Sequence, residues 1–245
     1  MFLTSHRRDH HLANAILFDT PETLSDVFLR QPSEHLAGGQ SLFFEGDEAR
    51  HVFEVTEGSL RVFRIIADGR RVITGFAHEG DVVGVSLRSA YPYSAEAICE
   101  TRVRRLSRRS FDAATQENEL LRNQVFARLC DEMAAAQDQM VLLSSKTAEE
   151  RLCTFLLKHM KRTLSKQALQ PVLDIPMTRL DMGDYLGLTI ETVSRMISKL
   201  IARGVISPVG RHAIRVNNPS LLAQMAGDGD ECEDQRRLVA GGRRH

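Results

Sequence analysis

Hydrophobic and polar positions divide the chain into three stretches with different periods. Between about residues 36 and 107, short runs rich in Val, Ile and Phe alternate with turn-forming Gly and Asp, as in SLFFEGD, HVFEVTEG, SLRVFRIIADG and RRVITGFAHEGD. Runs this short, punctuated this regularly, predict a small barrel or sandwich of β-strands. Asp68-Gly69, between RVFRII and RRVITGF, predicts a two-residue hairpin turn with positive φ at both central residues. The glycines of this stretch read as turn residues rather than a phosphate cradle, because none stands between a strand and a long helix.

From Glu117 to Ser144 the period changes. No Pro or Gly interrupts, and apolar or small residues recur at Phe126, Leu129, Met133, Ala136, Met140 and Leu143. Steps of three and four are the seam of a coiled coil, although this one is short. Two readings fit it: pairing with a second copy of the chain, or burial of an amphipathic helix on its own barrel. The TAEE that begins at Thr147 has the form of a capping box and predicts a second helix.

After the polar stretch SKQALQP and the run VLDIPM, the pattern tightens. Thr178, with Asp181 three residues on, starts a helix of about two turns. Gly187 stands where a left-handed residue would stop it, and Thr189 is the expected N-cap of the next helix. Two short helices joined through a tight Gly turn make a helix-turn-helix. In the second, Val193, Met196, Ile197, Leu200 and Ile201 share one face, which predicts burial. Glu191, Ser194, Arg195, Ser198 and Ala202 fall on the other, a slim edge suited to a groove. GVISPVGRHAIRVNN then predicts two short strands around a turn, and GDGDECEDQRRLVAGGRRH a disordered tail.

Charge adds to this picture only locally. The 245 residues carry 32 Lys and Arg against 32 Asp and Glu, so the total does not advertise a nucleic-acid partner. From Pro176 to Asn217, however, six basic residues (Arg179, Arg195, Lys199, Arg203, Arg211, Arg215) face three acids (Asp181, Asp184, Glu191), a local excess of +3. Arg179, Lys199 and Arg211 are candidates for phosphate contacts. Glu191 sits in the first helical turn, where the helix dipole favours an acid, and four residues before Arg195, the better orientation for an ion pair. In a major groove its carboxylate can accept from cytosine N4, while Arg195 can donate twice to guanine. The plainer reading is a surface ion pair worth a few tenths of a kcal/mol.

Four cysteines (Cys99, Cys130, Cys153, Cys232) with no close pair fit reduced thiols in a cytoplasmic protein. Cys130 and Cys153 fall in helical patterns and are expected to be packed. No apolar run reaches the length of a membrane span, and MFLTSHRRDHH lacks the apolar stretch of a signal peptide. His6, His10 and His11 read as solvated rather than as a metal site. No nucleophile–base constellation, metal spacing or phosphate loop is present, so an enzyme is not expected.

MTRLDMGDYLGLTIETVSRMISKL resembles the helix-turn-helix signature of the Crp/Fnr family of bacterial transcription regulators, in its FixK-like branch. EGD, EGSL and HEGDVVG resemble that family's cyclic-nucleotide-binding-type β-roll, and the strands after Gly204 resemble its wing. The resemblance covers roughly residues 25 to 217. It implies an α+β fold: a β-roll over 25–116, a long dimerisation helix over 117–145, a winged helix-turn-helix over 146–225 and a tail over 226–245. It also implies a homodimer that binds double-stranded DNA and contacts RNA polymerase. The base-reading residues would be Glu191, Ser194 and Arg195, on a half-site containing TTGA. There Arg195 would read the guanine, Glu191 the cytosine paired with it, and Ser194 a flanking T·A pair. Arg179, Thr189, Thr192, Lys199 and Arg211 would touch the DNA backbone. Phe126, Leu129, Met133, Ala136, Met140 and Leu143 would form the dimer interface.

Two departures qualify the resemblance. Members that bind cyclic AMP carry a Glu and an Arg for the ribose and phosphate, where this chain has Val85 and Tyr93. Fnr-type members hold an iron–sulfur cluster with N-terminal cysteines, and here no cysteine precedes Cys99. The expectation is a regulator with no cofactor and no bound effector, active as made, its supply set upstream by an oxygen-responsive system. The alternative is a regulator of the same family gated by an unidentified small molecule in the roll.

Overall fold

A computed structural model describes residues 23–163 and 171–227. The N-terminal histidines, most of the SKQALQP stretch, Cys232 and the tail beyond Gly227 lie outside the described residues.

The β stretch forms two four-stranded antiparallel sheets that face each other. One has the order β1 (Ser33–Leu36), β8 (Thr101–Ser107), β3 (His51–Glu57), β6 (Val82–Val83). The other runs β2 (Ser41–Phe43), β7 (Ser94–Ala97), β4 (Ser59–Ile65), β5 (Arg71–His78). Phe43, Phe53, Val55, Leu60, Val83, Tyr91, Ala95 and Val103 meet between them. Each fully buried large apolar side chain contributes about 1.5–3 kcal/mol. The β4–β5 hairpin lies where Asp68-Gly69 predicted it, but its turn differs from the expected one. Gly69 N–H donates to Ile66 C=O (2.9 Å) and Ile66 N–H to Arg70 C=O (3.0 Å), which leaves three residues in the loop. Gly69 alone has positive φ, at 82°. Asp68 avoids the strained left-handed region by letting the loop grow by one residue, a type of turn that needs one glycine rather than two permissive residues.

Two short helices escaped the sequence pattern. α1 (Leu24–Phe28) is closed by a Thr23/Asp26 capping box, and α2 (Arg108–Glu117) is capped by Ser107. Both pack on the roll through Phe28 and Phe111. Asn118 then caps α3 (Glu119–Ser145), accepting from Leu120 and Leu121 N–H, so the long helix begins after a break rather than at Glu117. Over its 27 residues α3 buries only Leu121 and Leu142. The reading in which its seam packs on its own barrel is therefore wrong: Phe126, Leu129, Met133, Ala136, Met140 and Leu143 are all exposed. Val141, outside the predicted seam, is exposed beside them.

The remainder packs around α4 (Ala148–Thr163), whose start is the predicted box. Thr147 N–H donates to Glu150 Oε2 at 2.7 Å, and Glu150 N–H returns to Thr147 Oγ1 at 3.4 Å. Leu152, Phe155, Leu156 and Met160 of α4 meet Met182 and Leu186 of α5 (Arg179–Leu186) and Val193, Ile197 and Leu200 of α6 (Ile190–Ala202). A three-stranded sheet, β10 (Ile206–Pro208), β11 (Ala213–Val216), β9 (Val172–Asp174), and α7 (Pro219–Met225) complete this core. Phe76 of the roll also packs against it. Among the described residues no helix is long and apolar enough to cross a membrane.

Candidate nucleic-acid interface

The helix-turn-helix is built from caps and two glycines. Thr178 Oγ1 accepts from Asp181 N–H (3.1 Å) and Asp181 Oδ2 accepts from Thr178 N–H (3.0 Å), which satisfies two of the free donors at the start of α5. Gly187 ends α5 with φ 64° and ψ 39°. Gly183 faces the turn so closely that a Cβ would lie 2.6 Å from Leu188 C=O, so only a glycine lets α5 and the turn approach this far. Thr189 caps α6, accepting from Thr192 N–H at 3.2 Å.

The amphipathic split of α6 is close to the predicted one. Val193, Ile197 and Leu200 are buried and Met196 half-buried, but Ile201 is exposed, because the core ends before the last turn of the helix. On the opposite side Glu191, Ser194, Arg195, Ser198 and Ala202 are all exposed. The expected Glu191–Arg195 ion pair is not formed. Instead the carboxyl of Glu191 is held below its ordinary pKa by its own backbone N–H and the Thr189 hydroxyl. It turns toward the helix N-terminus, where the unsatisfied N–H groups attract it. Among the described residues Arg195 has no carboxylate partner, and it is exposed.

The candidate phosphate-contacting residues divide. Arg211 is exposed on the loop between β10 and β11, and Thr189 is exposed at the start of α6, with Thr192 half-buried beside it. Lys199 is ion-paired with Glu149 of α4, which also holds Arg203 at 3.1 Å. Arg179 is half-buried, its Nη1 3.6 Å from Met182 Sδ, and burial lowers its pKa. On the acid side, two of the three carboxylates no longer offset the local basic residues. Asp181 and Asp184 are neutralised by Arg61 and Arg71 of the roll, contacts between distant segments that spacing alone does not reveal.

Inside the roll, the Tyr93 hydroxyl accepts from Gly84 N–H at 3.0 Å, and its ring packs near Phe43. Burial pushes its pKa up to about 12, so it stays a neutral phenol. Val85 is half-buried nearby. At the two places where the resemblance requires a carboxylate and a guanidinium for cyclic AMP, the residues present offer neither charge and do not fit that ligand. Cys153 is buried as expected, its thiol pushed up to about 12 by burial, whereas Cys130 is only half-buried on the exposed α3.

Residues 33–118 match the model of the cyclic nucleotide-binding domain, and residues 150–225 match that of the Crp-like helix-turn-helix domain. The nitrogen fixation regulation protein FixK of Bradyrhizobium diazoefficiens is 36% identical over 173 residues, 71% of this chain and 73% of that protein. The chain belongs to the Crp/Fnr family of transcription regulators. Within the family it is also similar to the fumarate nitrate reduction regulatory protein of Klebsiella oxytoca, at 34% identity over 77% of this chain and 76% of the relative. The solved structure of FixK2 from Bradyrhizobium japonicum superposes with a TM-score of 0.75 at 34% identity, covering 80% of this chain and 98% of that one. A β-rich cyclic-nucleotide-binding-type domain, a long helix and a C-terminal DNA-binding helix-turn-helix are thus the family's architecture and this chain's.

Proposed function

We propose that this Crp/Fnr regulator works as a homodimer of the FixK type, joined along α3, that reads TTGA–N6–TCAA-like inverted repeats. The carrying observation is the edge of α6, on which Glu191, Ser194 and Arg195 are exposed together with none of the described residues over them. In the major groove Arg195 donates to guanine O6 and N7, Glu191 accepts from the N4 amino group of the paired cytosine, and Ser194 favours the flanking T·A pair. Four-base half-sites separated by six place their centres about ten base pairs apart, one helical turn, as a two-fold dimer requires. Arg179, Thr189, Thr192, Lys199 and Arg211 take phosphate contacts, Lys199 by exchanging Glu149 for a phosphate oxygen. In this reading residues 25–116 are the sensor-type roll, 117–145 the dimerisation helix, 146–225 the DNA-binding domain and 226–245 a tail. RNA polymerase is the downstream partner.

The roll needs no effector in this proposal, since Val85 and Tyr93 supply neither charge that a cyclic nucleotide would require. One observation favours a second reading. A cavity of about 810 Å³ opens between the roll, α3 and α4, with Asp81, Arg128, Asp131, Glu132, Lys158 and Arg162 on its walls, large enough for a small-molecule effector. Gel retardation separates the two. Purified protein without additives should shift a TTGA–N6–TCAA duplex and lose it when the G·C pairs are exchanged. Retardation only after a metabolite is added would select the effector-gated reading.

A further inference from the structure

Asp181 uses its two oxygens for different purposes. Oδ2 accepts from the Thr178 N–H at 3.0 Å and the Thr178 hydroxyl at 2.7 Å, which closes the cap of α5. Oδ1 faces the roll, where it accepts from Arg61 Nη1 at 2.9 Å and Arg71 Nη2 at 3.2 Å. Arg71 Nε also donates to Asp184 Oδ2 at 3.0 Å, three residues further along α5, and Arg61 is held from behind by Glu96 of β7. The Asp181 side chain is 1% exposed and that of Arg61 13%. Buried charges lose their hydration, so such a cluster is poor glue compared with apolar surface. It is strongly directional, because a guanidinium fork matches carboxylates in few orientations.

What the cluster orients is the recognition helix. Gly183 meets the turn backbone closely and Gly187 closes that turn, so α5 and α6 are joined by a short, tightly packed link. The Phe76 ring packs beside the charges on Tyr185 and Phe155, at 5.2 and 6.2 Å, and Arg162 of α4 pairs with Asp81, contacts that are less directional than the forked pairs or lie at the rim. We propose that Arg61 and Arg71, with Asp181 and Asp184, are positioning residues for DNA recognition. Without touching DNA, they fix the angle at which each α6 leaves its own roll and so set the half-site spacing that the dimer accepts. The inference rests on the proposed inverted-repeat reading. One base pair of added or lost spacer turns a half-site by about 35°, so tight clamping rejects it and a loose attachment tolerates it.

The test uses the full chain with Arg71→Glu, Asp184→Arg and the two combined, sites with enough exposure (24% and 21%) to accept the exchange. Binding is measured on TTGA–N6–TCAA and on the same repeat with five- and seven-base spacers. Wild type should prefer the six-base spacer by about tenfold or more. Each single variant should reduce that preference to about threefold or less, keep its loss on G·C exchange, and regain the preference in the combined variant. Hydrogen exchange of the β5 and α5 amides, read without DNA, should rise in the single variants and fall back in the combined one. Unchanged exchange and unchanged spacer preference in the single variants would overturn the clamp, as would a combined variant no better than either parent. If wild type binds the repeat no better than a scrambled duplex, the proposed function fails, and the exchange readout alone then decides the clamp.

Discussion

α3 and α6 are both helices with one face left over, and the two faces are opposite in chemistry. α6 buries Val193, Ile197 and Leu200 and turns Glu191, Ser194, Arg195 and Ser198 outward. α3 turns outward Phe126, Met133 and Met140, at 68%, 60% and 63% exposure. Water solvates the first face without penalty, whereas each Å² of the second costs about 25 cal/mol. A polar edge with directed donors and one acceptor is completed by a partner that offers hydrogen bonds at fixed places, such as base edges. An apolar stripe at steps of three and four is completed by its own copy. The edge of α6 suits nucleic acid and the stripe of α3 suits a second protein surface, the two faces that the proposed dimeric DNA reader requires.

The comparison is broken most severely at α3. Met133→Glu with Met140→Glu should convert the dimer to a monomer by analytical ultracentrifugation. Operator affinity should then fall by about a hundredfold or more, since the second half-site is no longer held at high effective concentration. A dimer that survives both charges would remove the stripe from the interface. The buried side of α6 comes next. Leu200→Ala should lower the stability of the folded chain by about 2–5 kcal/mol in denaturant titrations, yet leave base preference unaltered in the fraction that remains folded. Arg195→Ala inverts that result, with little change in the denaturation midpoint and a loss of about 1–3 kcal/mol in operator binding, concentrated at the guanine position. Glu191→Ala is the mildest. Selection at the paired cytosine should relax while affinity for the best site changes by only about threefold, because a carboxylate that repels phosphates is removed as well.

What could be read from the residues in advance was local. The Thr178/Asp181 and Thr147/Glu150 boxes, the Gly187 stop and the Thr189 cap are short-range devices whose spacing is their mechanism, and all four are formed. The strand runs and the buried side of α6 were legible because burial imposes a period. α1, capped by Thr23, has too few turns to show a period, and α2, capped by Ser107, buries only Phe111 and so shows no apolar stripe. That the α3 seam does not pack on its own barrel needed the structure, because spacing says that a stripe exists and not where it faces. Glu191 turned from Arg195 to its own cap because an i,i+4 pair is weak enough for a helix terminus to outbid. The second partners of Asp181, from residues more than a hundred positions away, left no trace in spacing at all. For the candidate interface, the exposed edge of α6 was therefore legible, and the contacts between α5 and the roll were not.

The central claim is that the free edge of α6 reads bases, and selection from a randomised pool tests it most directly. Wild type and Arg195→Ala, each without additives, are offered duplexes with every half-site position varied, and the bound fraction is sequenced. Wild type should return TTGA in inverted repeat, and the variant should return the same repeat with the guanine position alone randomised. Identical sequence preferences for the two proteins would contradict the account.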